Sequence, residues 1–138
     1  GGNGEIDYLN ALIEQYDLGN IVKYEGWLDS EKKTEIMNKC SVFILPSYAE
    51  GMPLSILEAL SYGQYIIATN VGGIPEIVDD KVGALFTPGD LKGLTSLLGG
   101  IINASLPLPD RSDICTHAEK YLPEKIASVL ETVYLNYL

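Results

Sequence analysis

Two strand-length apolar runs separated by a helical segment constrain the fold of this chain most strongly. Residues 41–45 predict a strand buried on both faces, and residues 65–69 predict the next strand. Between them, residues 54–62 have the apolar spacing of a helix, with Pro53 at its first turn and Gly63 as its stop. A strand–helix–strand order of this kind predicts a parallel sheet with helices on both faces.

The same alternation of helix and strand continues on both sides of this core. We therefore expect one α/β, Rossmann-like domain over residues 1–138, with a short strand at residues 21–25 and an edge strand at residues 83–86. The remaining helices are predicted at residues 5–17, 30–38, 74–78, 91–102, 112–121 and 123–137.

Charge and cysteine content narrow the classes of function. The formal net charge is −10, whereas a nucleic-acid partner or an anionic membrane surface requires a basic face, so we expect neither contact through this domain. The chain has two cysteines, Cys40 and Cys115, and neither lies in a spacing typical of zinc sites. Cys40, next to an apolar strand, is predicted to be a buried thiol, and we expect a reducing, cytoplasmic environment.

The loops that follow the two central strands are the predicted binding region. Residues 46–52 and 70–73 both come after strand carboxyl ends, where ligands of open parallel sheets bind. Gly51 allows close approach of a ligand, and the helix that follows directs free amides and the positive end of its dipole at the loop. No Lys or Arg lies between Lys39 and Lys81, so a phosphate held here depends mainly on main-chain amides.

Two carboxylates in this region each have two interpretations. Glu58 shares a helix stripe with Ser55 and Tyr62, where a carboxylate can accept two hydrogen bonds from a diol. Most such stripes are only solvated surface, so spacing alone favours the plainer interpretation. Glu50 can likewise be a loop carboxylate that simply interacts with the nearby helix N-terminus.

A longer set of motifs resembles the group-1 retaining glycosyltransferases, which have the GT-B fold. The segments that carry the resemblance are VFILPSYAEGMP at residues 42–53, EALSYG at 58–63, IATNVGGIPEIV at 67–78, and GALF at 83–86 followed by PGD at 88–90. They include the Glu-x7-Glu signature of that family. The resemblance runs from about Gly2 to Leu138.

The resemblance assigns roles to these residues. It implies that Glu50 contacts the donor sugar near its reacting centre and that Glu58 holds the ribose hydroxyls of a UDP-, GDP- or ADP-sugar. It further implies retention by front-face attack, with neither a metal nor a cofactor and with no metal ligands in this chain. Polysaccharide or glycoconjugate synthesis is the expected setting. The other donor-binding residues that it implies are Gly51, Met52, Pro53 and Leu54. Tyr48 is predicted to bind the donor because it lies in the same loop, where it can stack on a base or sugar, and Gly73 is a further predicted donor-binding residue.

The chain departs from the family pattern in ways that affect function. The Gly-Arg…Lys-Gly segment that grips the diphosphate and the N-terminal acceptor domain are expected upstream of Gly1, so this C-terminal half is predicted to be inactive alone. The last helix is expected to pack partly against that domain. Tyr134, Leu135 and Leu138 either belong to that contact or are core residues. Gln64-Tyr65 replaces a basic residue and proline.

Two other functions compete with an enzyme half. One is a free-standing module that binds a nucleotide-sugar without catalysis, and the other is a sugar-nucleotide epimerase, which the Glu50 to Pro53 context disfavours. Of the remaining polar residues, His117 is predicted to have a surface or packing role. Asp79 and Asp80 are predicted to form a turn. Glu76 either caps a short helix or lines the donor pocket.

Overall fold

A computed structural model describes residues 3–136 of the chain. These residues divide into two compact units, with the boundary between Thr34 and Glu35. The single-domain interpretation stays a prediction. The elements, in order, are α1 (Asn3–Gln15), α2 (Ser30–Lys39), β1 (Val42–Leu45), α3 (Leu54–Ser61), β2 (Tyr65–Thr69), α4 (Ile74–Ile77), β3 (Gly83–Phe86), α5 (Leu91–Ile102), α6 (Arg111–Ala118), a 3-10 turn (Glu119–Tyr121) and α7 (Pro123–Leu135).

The first unit contains α1, an irregular segment and the start of α2. The predicted strand at residues 21–25 is wrong, because this segment is a turn followed by irregular chain without ladder partners among the described residues. The amides of Ile21 and Val22 both donate to the carbonyl oxygen of Leu18 at 2.8 Å. The turn thus takes the donors with which a strand would begin its pairing.

The second unit is organised by a three-stranded parallel sheet in the order β1-β2-β3, flanked by helices, which confirms the predicted α/β class. Every residue of the central strand β2 is buried, as its apolar run predicts. The predicted edge position of residues 83–86 is confirmed by β3. The prediction that β1 is buried on both faces is wrong. This strand lies at the other edge of the sheet, and Ile44 is 39% exposed.

The helix α3 connects β1 to β2 and packs on β2 and α6. Its buried face consists of Ile56, Ala59 and Leu60, at the spacing of one helix face. Gly63 ends the helix as predicted: it adopts φ +66°, its amide donates to Leu60, and the next amide, of Gln64, donates to Ala59. These two bonds satisfy carbonyls at the helix end in a Schellman arrangement.

Arg111 and Gln64 form hydrogen bonds at the edge of the sheet where the strands begin. The Arg111 guanidinium donates to the carbonyl oxygen of Asn38 at 2.9 Å and to that of Tyr62, near the C-termini of α2 and α3. Gln64, at the position of the departure from the family pattern, is buried and donates from Nε2 to the carbonyl oxygen of Met37 at 2.7 Å. Both side chains therefore serve the packing of helix ends onto the sheet.

Two further predictions concern the surface. Cys40 is exposed and not buried, because it lies at the end of α2 before the edge strand β1. Tyr134 and Leu135 are exposed on α7, as expected, whereas Leu138 lies outside the described residues. Over the described residues, none of the helices combines the length and the apolar character that crossing a membrane requires.

Candidate functional site

The carboxyl-terminal edge of the sheet gathers three loops, at residues 46–53, 70–73 and 87–90. They follow β1, β2 and β3, and because these strands are parallel, the loops emerge at one edge. This is the arrangement that the sequence predicts for the first two loops. The third loop adds Gly89, for which no role was predicted.

Main-chain atoms join the loops after β1 and β2. The amide of Gly73 donates to the carbonyl oxygen of Gly51 at 2.8 Å. Gly72 has φ +54°, and a Cβ at this position would overlap the carbonyl oxygen of Glu50. A Cβ at Gly73 would lie 2.7 Å from the carbonyl oxygen of Gly51. Only glycines at positions 72 and 73 permit this approach of the two backbones.

The carboxylate of Glu50 is held within its own loop. Ser47 donates from Oγ to Glu50 Oε1 at 2.6 Å, and Glu50 is half-buried. Ser47 is held in turn by Thr69, the fully buried last residue of β2, which donates from Oγ1 to the Ser47 carbonyl oxygen at 2.6 Å. Two side-chain hydrogen bonds therefore connect the central strand to the Glu50 carboxylate.

The helix α3 begins directly after the Glu50 loop. Pro53 occupies the N-cap position with φ −73° and ψ 114°, and no side-chain hydrogen bond caps the helix. Glu58 lies one turn inside α3 and is half-buried, while Met52 and Leu54 are exposed. The first turn of α3 and the Glu50 loop are therefore neighbours in the chain, and they carry most of the predicted donor-binding residues.

Tyr48 reaches from the loop after β1 to the loop after β3. A Cβ at Gly89 would lie 3.6 Å from the Tyr48 hydroxyl, which is ordinary contact distance. Tyr48 borders a cavity of about 220 Å³ whose wall is largely apolar. The other residues of its wall are Pro46, Phe86, Gly89, Asp90, Leu91 and Leu94.

A larger cavity, of about 600 Å³, lies at the amino-terminal edge, away from the predicted binding loops. Its wall includes Tyr65 and Asp80, and burial, with a smaller contribution from the Asp80 charge, raises the pKa of Tyr65. His117 also borders it, with Nε2 3.1 Å from the carbonyl oxygen of Ile77. This contact confirms the predicted packing role of His117, and nothing in the cavity's wall matches the predicted donor-binding residues.

The remaining polar candidates have local roles. Asp79 accepts the Lys81 amide through Oδ1 at 3.1 Å and the Gly83 amide through its carbonyl oxygen at 3.0 Å, which confirms the predicted turn. Glu76 is exposed, and its carbonyl oxygen accepts the Tyr121 hydroxyl at 2.9 Å. A donor-pocket role for Glu76 stays a prediction.

Three of the residues that shape this edge had no individually predicted role. Ser47, Thr69 and Gly72 act through contacts between segments about 20 residues or more apart, apart from the local Ser47–Glu50 bond. Their positions in the sequence were the signal that could have indicated them. Ser47 has a hydroxyl three residues before Glu50, and Thr69 has a hydroxyl at the last position of the neighbouring strand. A side chain at a strand end is well placed to bond the adjacent loop.

Comparisons with known proteins agree on one family. The family model described as "Glycosyl transferases group 1" matches residues 1–120. The chain is 32% identical over 95 residues to the MMP alpha-(1->4)-mannosyltransferase of Mycolicibacterium hassiacum, covering 67% of this chain and 23% of that protein. It is 32% identical over 92 residues to the O-antigen chain mannosyltransferase B of Escherichia coli, covering 67% and 24%.

A solved structure extends the likeness to the fold. Anabaena Alr3699/HepE, crystallised in complex with UDP, superposes with a TM-score of 0.72 at 26% identity, covering 94% of this chain and 38% of that one. The chain thus spans about a quarter of the length of the curated relatives and just over a third of this structural neighbour.

Proposed function

The chain belongs to the group 1 glycosyl transferases, and on that basis we propose that it binds the nucleotide-sugar donor for retaining transfer of a hexose to an acceptor. The observation that carries the proposal is the joined pair of loops at the carboxyl edge, with the Glu50 carboxylate held beside the start of α3. The UDP bound to the HepE neighbour supports a nucleotide ligand for this fold.

The diphosphate of the donor is proposed to lie against the first turn of α3. No side-chain hydrogen bond caps the helix at Pro53, and the Ile56 amide donates to the Pro53 carbonyl oxygen at 3.1 Å. The amides of Leu54 and Ser55, with the helix dipole, are proposed to bind the anion. The backbone of Gly51 faces the same loop junction, since its carbonyl oxygen accepts the Gly73 amide. Cations at this position come from outside residues 40–80, which contain no Lys or Arg.

The two carboxylates divide the work of donor recognition in this proposal. Glu58 accepts hydrogen bonds from the ribose diol, which anchors the nucleoside without taking part in bond breaking. Glu50 contacts the donor sugar near its anomeric carbon, where positive charge develops in the transition state. Met52, Leu54 and Tyr48 provide the surrounding contact surface.

Transfer is proposed to proceed with retention, as the resemblance to the retaining group-1 enzymes implies. The acceptor hydroxyl attacks the anomeric carbon on the face from which the diphosphate departs, and the departing phosphate oxygen takes the hydroxyl proton. The carbon–oxygen bond to the nucleotide breaks with its electron pair on the phosphate, and the helix amides stabilise that charge in place. No metal ion is required in this scheme.

The acceptor side of the reaction is a separate proposal. Because the chain spans about a quarter of the length of its curated relatives, we propose that it is the C-terminal, donor-binding half of a larger enzyme. Residues 1–138 alone are then expected to bind donor without transferring sugar. The relatives named for O-antigen and mannosyl transfer support an acceptor in polysaccharide or glycoconjugate synthesis.

Calorimetric titration of the natural, full-length protein with UDP-, GDP- and ADP-sugars tests the proposal. We expect saturable binding of one nucleotide class, and weaker binding after Glu58→Gln. Transfer of sugar from the bound donor to a saccharide or lipid-linked acceptor completes the test. Absence of binding by all three classes contradicts the proposal, whereas binding without transfer to any acceptor favours the free-standing binding module.

A further inference from the structure

Ser47 links the sheet to the Glu50 carboxylate through two hydrogen bonds. It donates to Glu50 Oε1 at 2.6 Å, while the Ser47 carbonyl oxygen accepts the Thr69 hydroxyl at 2.6 Å. We propose that Ser47 is a positioning residue, which fixes the Glu50 carboxylate for the transfer step and is itself fixed by Thr69. This inference rests on the proposed role of Glu50 at the donor sugar.

A glutamate side chain has several rotatable bonds, and a half-buried one in a loop samples several positions unless a partner holds it. The Ser47 hydroxyl supplies that partner at a short distance typical of an O–H donor to a carboxylate. The bond uses one acceptor site on Oε1, so Oε2 retains its lone pairs for hydroxyls of the donor sugar.

The support of the Glu50 loop originates in the central strand β2. Thr69 is fully buried and is the last residue of the central strand, paired in register with Phe86 of β3. Its hydroxyl donates to the Ser47 carbonyl oxygen, so the loop after β1 is attached to the central strand of the sheet. The Gly73 amide holds the same loop again at Gly51. Glu50 lies between these two attachments.

The expected consequence is a kinetic effect. A misplacement of a reacting group by about 1 Å can reduce the rate by about 100-fold. Because Glu50 is proposed to act on the reacting sugar, loss of its support lowers kcat more than it changes the donor KM. Substitution of a residue needed only for folding would change thermal stability and the amount of active protein. It would not lower kcat selectively over the donor KM.

Steady-state kinetics of the full-length protein with its donor test the inference. Ser47→Ala is expected to lower kcat by about tenfold or more, since the lost bond is to a charged group. Ser47→Thr keeps the hydroxyl and is expected to restore part of the activity. Ser105→Ala is the matched control, because it removes an exposed serine hydroxyl that bonds only a main-chain carbonyl, and its kcat should be unchanged.

Combination with Glu50→Gln separates this inference from the proposed function. If Ser47 acts through Glu50, Ser47→Ala has little further effect on kcat in the Glu50→Gln protein. The positioning role is overturned if the two substitutions lower kcat additively. It is also overturned if the decrease in kcat of Ser47→Ala is accounted for by a lower thermal midpoint. If Glu50→Gln lowers kcat and Ser47→Ala does not, Ser47 alone is wrongly assigned. If Glu50→Gln leaves kcat unchanged, the proposed role of Glu50 fails, and the inference fails with it.

Discussion

The amide of Gly73 donates a 2.8 Å hydrogen bond to the carbonyl oxygen of Gly51, which joins the loops that follow two neighbouring strands. Neither partner uses a side chain. The adjacent Gly72 brings its α-carbon so close to the Glu50 carbonyl oxygen that no Cβ fits. The shape of the candidate site is thus fixed by main-chain packing at this junction, and its stability can be tested there.

Substitution of Gly72 by alanine is expected to loosen this junction. The residue has φ +54°, where a Cβ costs about 1–2 kcal/mol, and overlap with the Glu50 carbonyl oxygen adds to that cost. We expect Gly72→Ala to lower the free energy of unfolding by about 2 kcal/mol or more. Urea denaturation measures the stability, and calorimetry is expected to show weaker donor binding.

The matched control is Gly99→Ala on α5. Nothing lies within 4 Å of a Cβ at Gly99, and its backbone is helical. Alanine in a helix interior is favoured over glycine by about 0.5–1 kcal/mol, so this variant should be more stable than the parent. Equal effects of the two substitutions would contradict the proposed importance of the junction.

Replacement of Glu58 by glutamine is expected to weaken donor binding. The substitution removes the charge and part of the acceptor capacity that are proposed to hold the ribose diol. A hydrogen bond to a charged group is worth about 1.5–3 kcal/mol, so the donor KM should rise about ten- to 150-fold. Because the contact is kept through the reaction, kcat should change less.

Glu50→Gln provides the contrast, since kcat should fall most in that variant. Steady-state kinetics of the full-length protein with varied donor concentration give both parameters. An unchanged donor KM in the Glu58→Gln protein would show that Glu58 is a surface residue of α3 and that the division of roles is wrong.

Removal of the Arg111 guanidinium is expected to destabilise the fold without any direct effect on the candidate site. Arg111→Met retains much of the apolar stem but loses the bonds to the carbonyl oxygens of Asn38 and Tyr62. Because the side chain is exposed, we expect a loss of about 1–2 kcal/mol in the free energy of unfolding. Chemical denaturation measures it.

Two controls accompany the Arg111 variant. Arg111→Lys keeps the charge but lacks the planar fork, so its stability should be intermediate. Lys92→Met removes an exposed cation on α5 and should change stability by no more than about 0.5 kcal/mol. Equal losses in Arg111→Met and Lys92→Met, with Arg111→Lys as stable as the parent, would show that charge alone matters.

Stability at alkaline pH is expected to depend on Tyr65. Burial, and to a smaller extent the Asp80 charge, raises the pKa of Tyr65 above its ordinary value of 10.0. As the pH rises past that value, the unfolded chain loses this proton before the folded chain does. The contribution to stability is therefore full below about pH 10 and is lost as the pH rises through the folded-state pKa.

Urea denaturation on both sides of about pH 10 measures this dependence. Tyr65→Phe removes the ionisable group and should make the alkaline fall in stability shallower. Tyr24→Phe, which changes an exposed phenol, is the control and should retain the parent's dependence. A parent and a Tyr65→Phe protein with the same alkaline slope would contradict the prediction.

Activity of the full-length enzyme is expected to survive EDTA. The expectation comes from the proposed stabilisation of the leaving diphosphate by helix amides and by cations elsewhere in the enzyme. The transferase rate should be the same before and after dialysis against the chelator. A loss of activity that added Mn²⁺ restores would assign charge stabilisation to a metal ion.

Local patterns in the sequence predict most elements of the second unit. The run at residues 65–69 is apolar throughout, and its burial in the centre of the sheet agrees with that pattern. Gly63 ends α3 because a left-handed residue is needed there, which is a local requirement. The strand at residues 83–86 and α5 were likewise predicted within a residue of their bounds.

The wrong predictions depend on which strands pair. Residues 21–25 have strand-like composition, but their first amides bond to Leu18 in a turn. Ile44 lies on an edge strand, so an apolar run that resembles a central strand has one open side. In the candidate site, the Thr69–Ser47 contact was missed for the same reason, since it joins residues 22 positions apart.

The junction between Gly51 and Gly73 has an evolutionary consequence. Because main-chain atoms make it, exchange of the exposed side chains at Tyr48, Ala49 or Met52 leaves it intact. A lineage can therefore vary the chemical character of this edge while the spacing between the loops is inherited unchanged. Selection on the proposed donor site has room to act on those three positions, whereas Gly72 and Gly73 have to be retained.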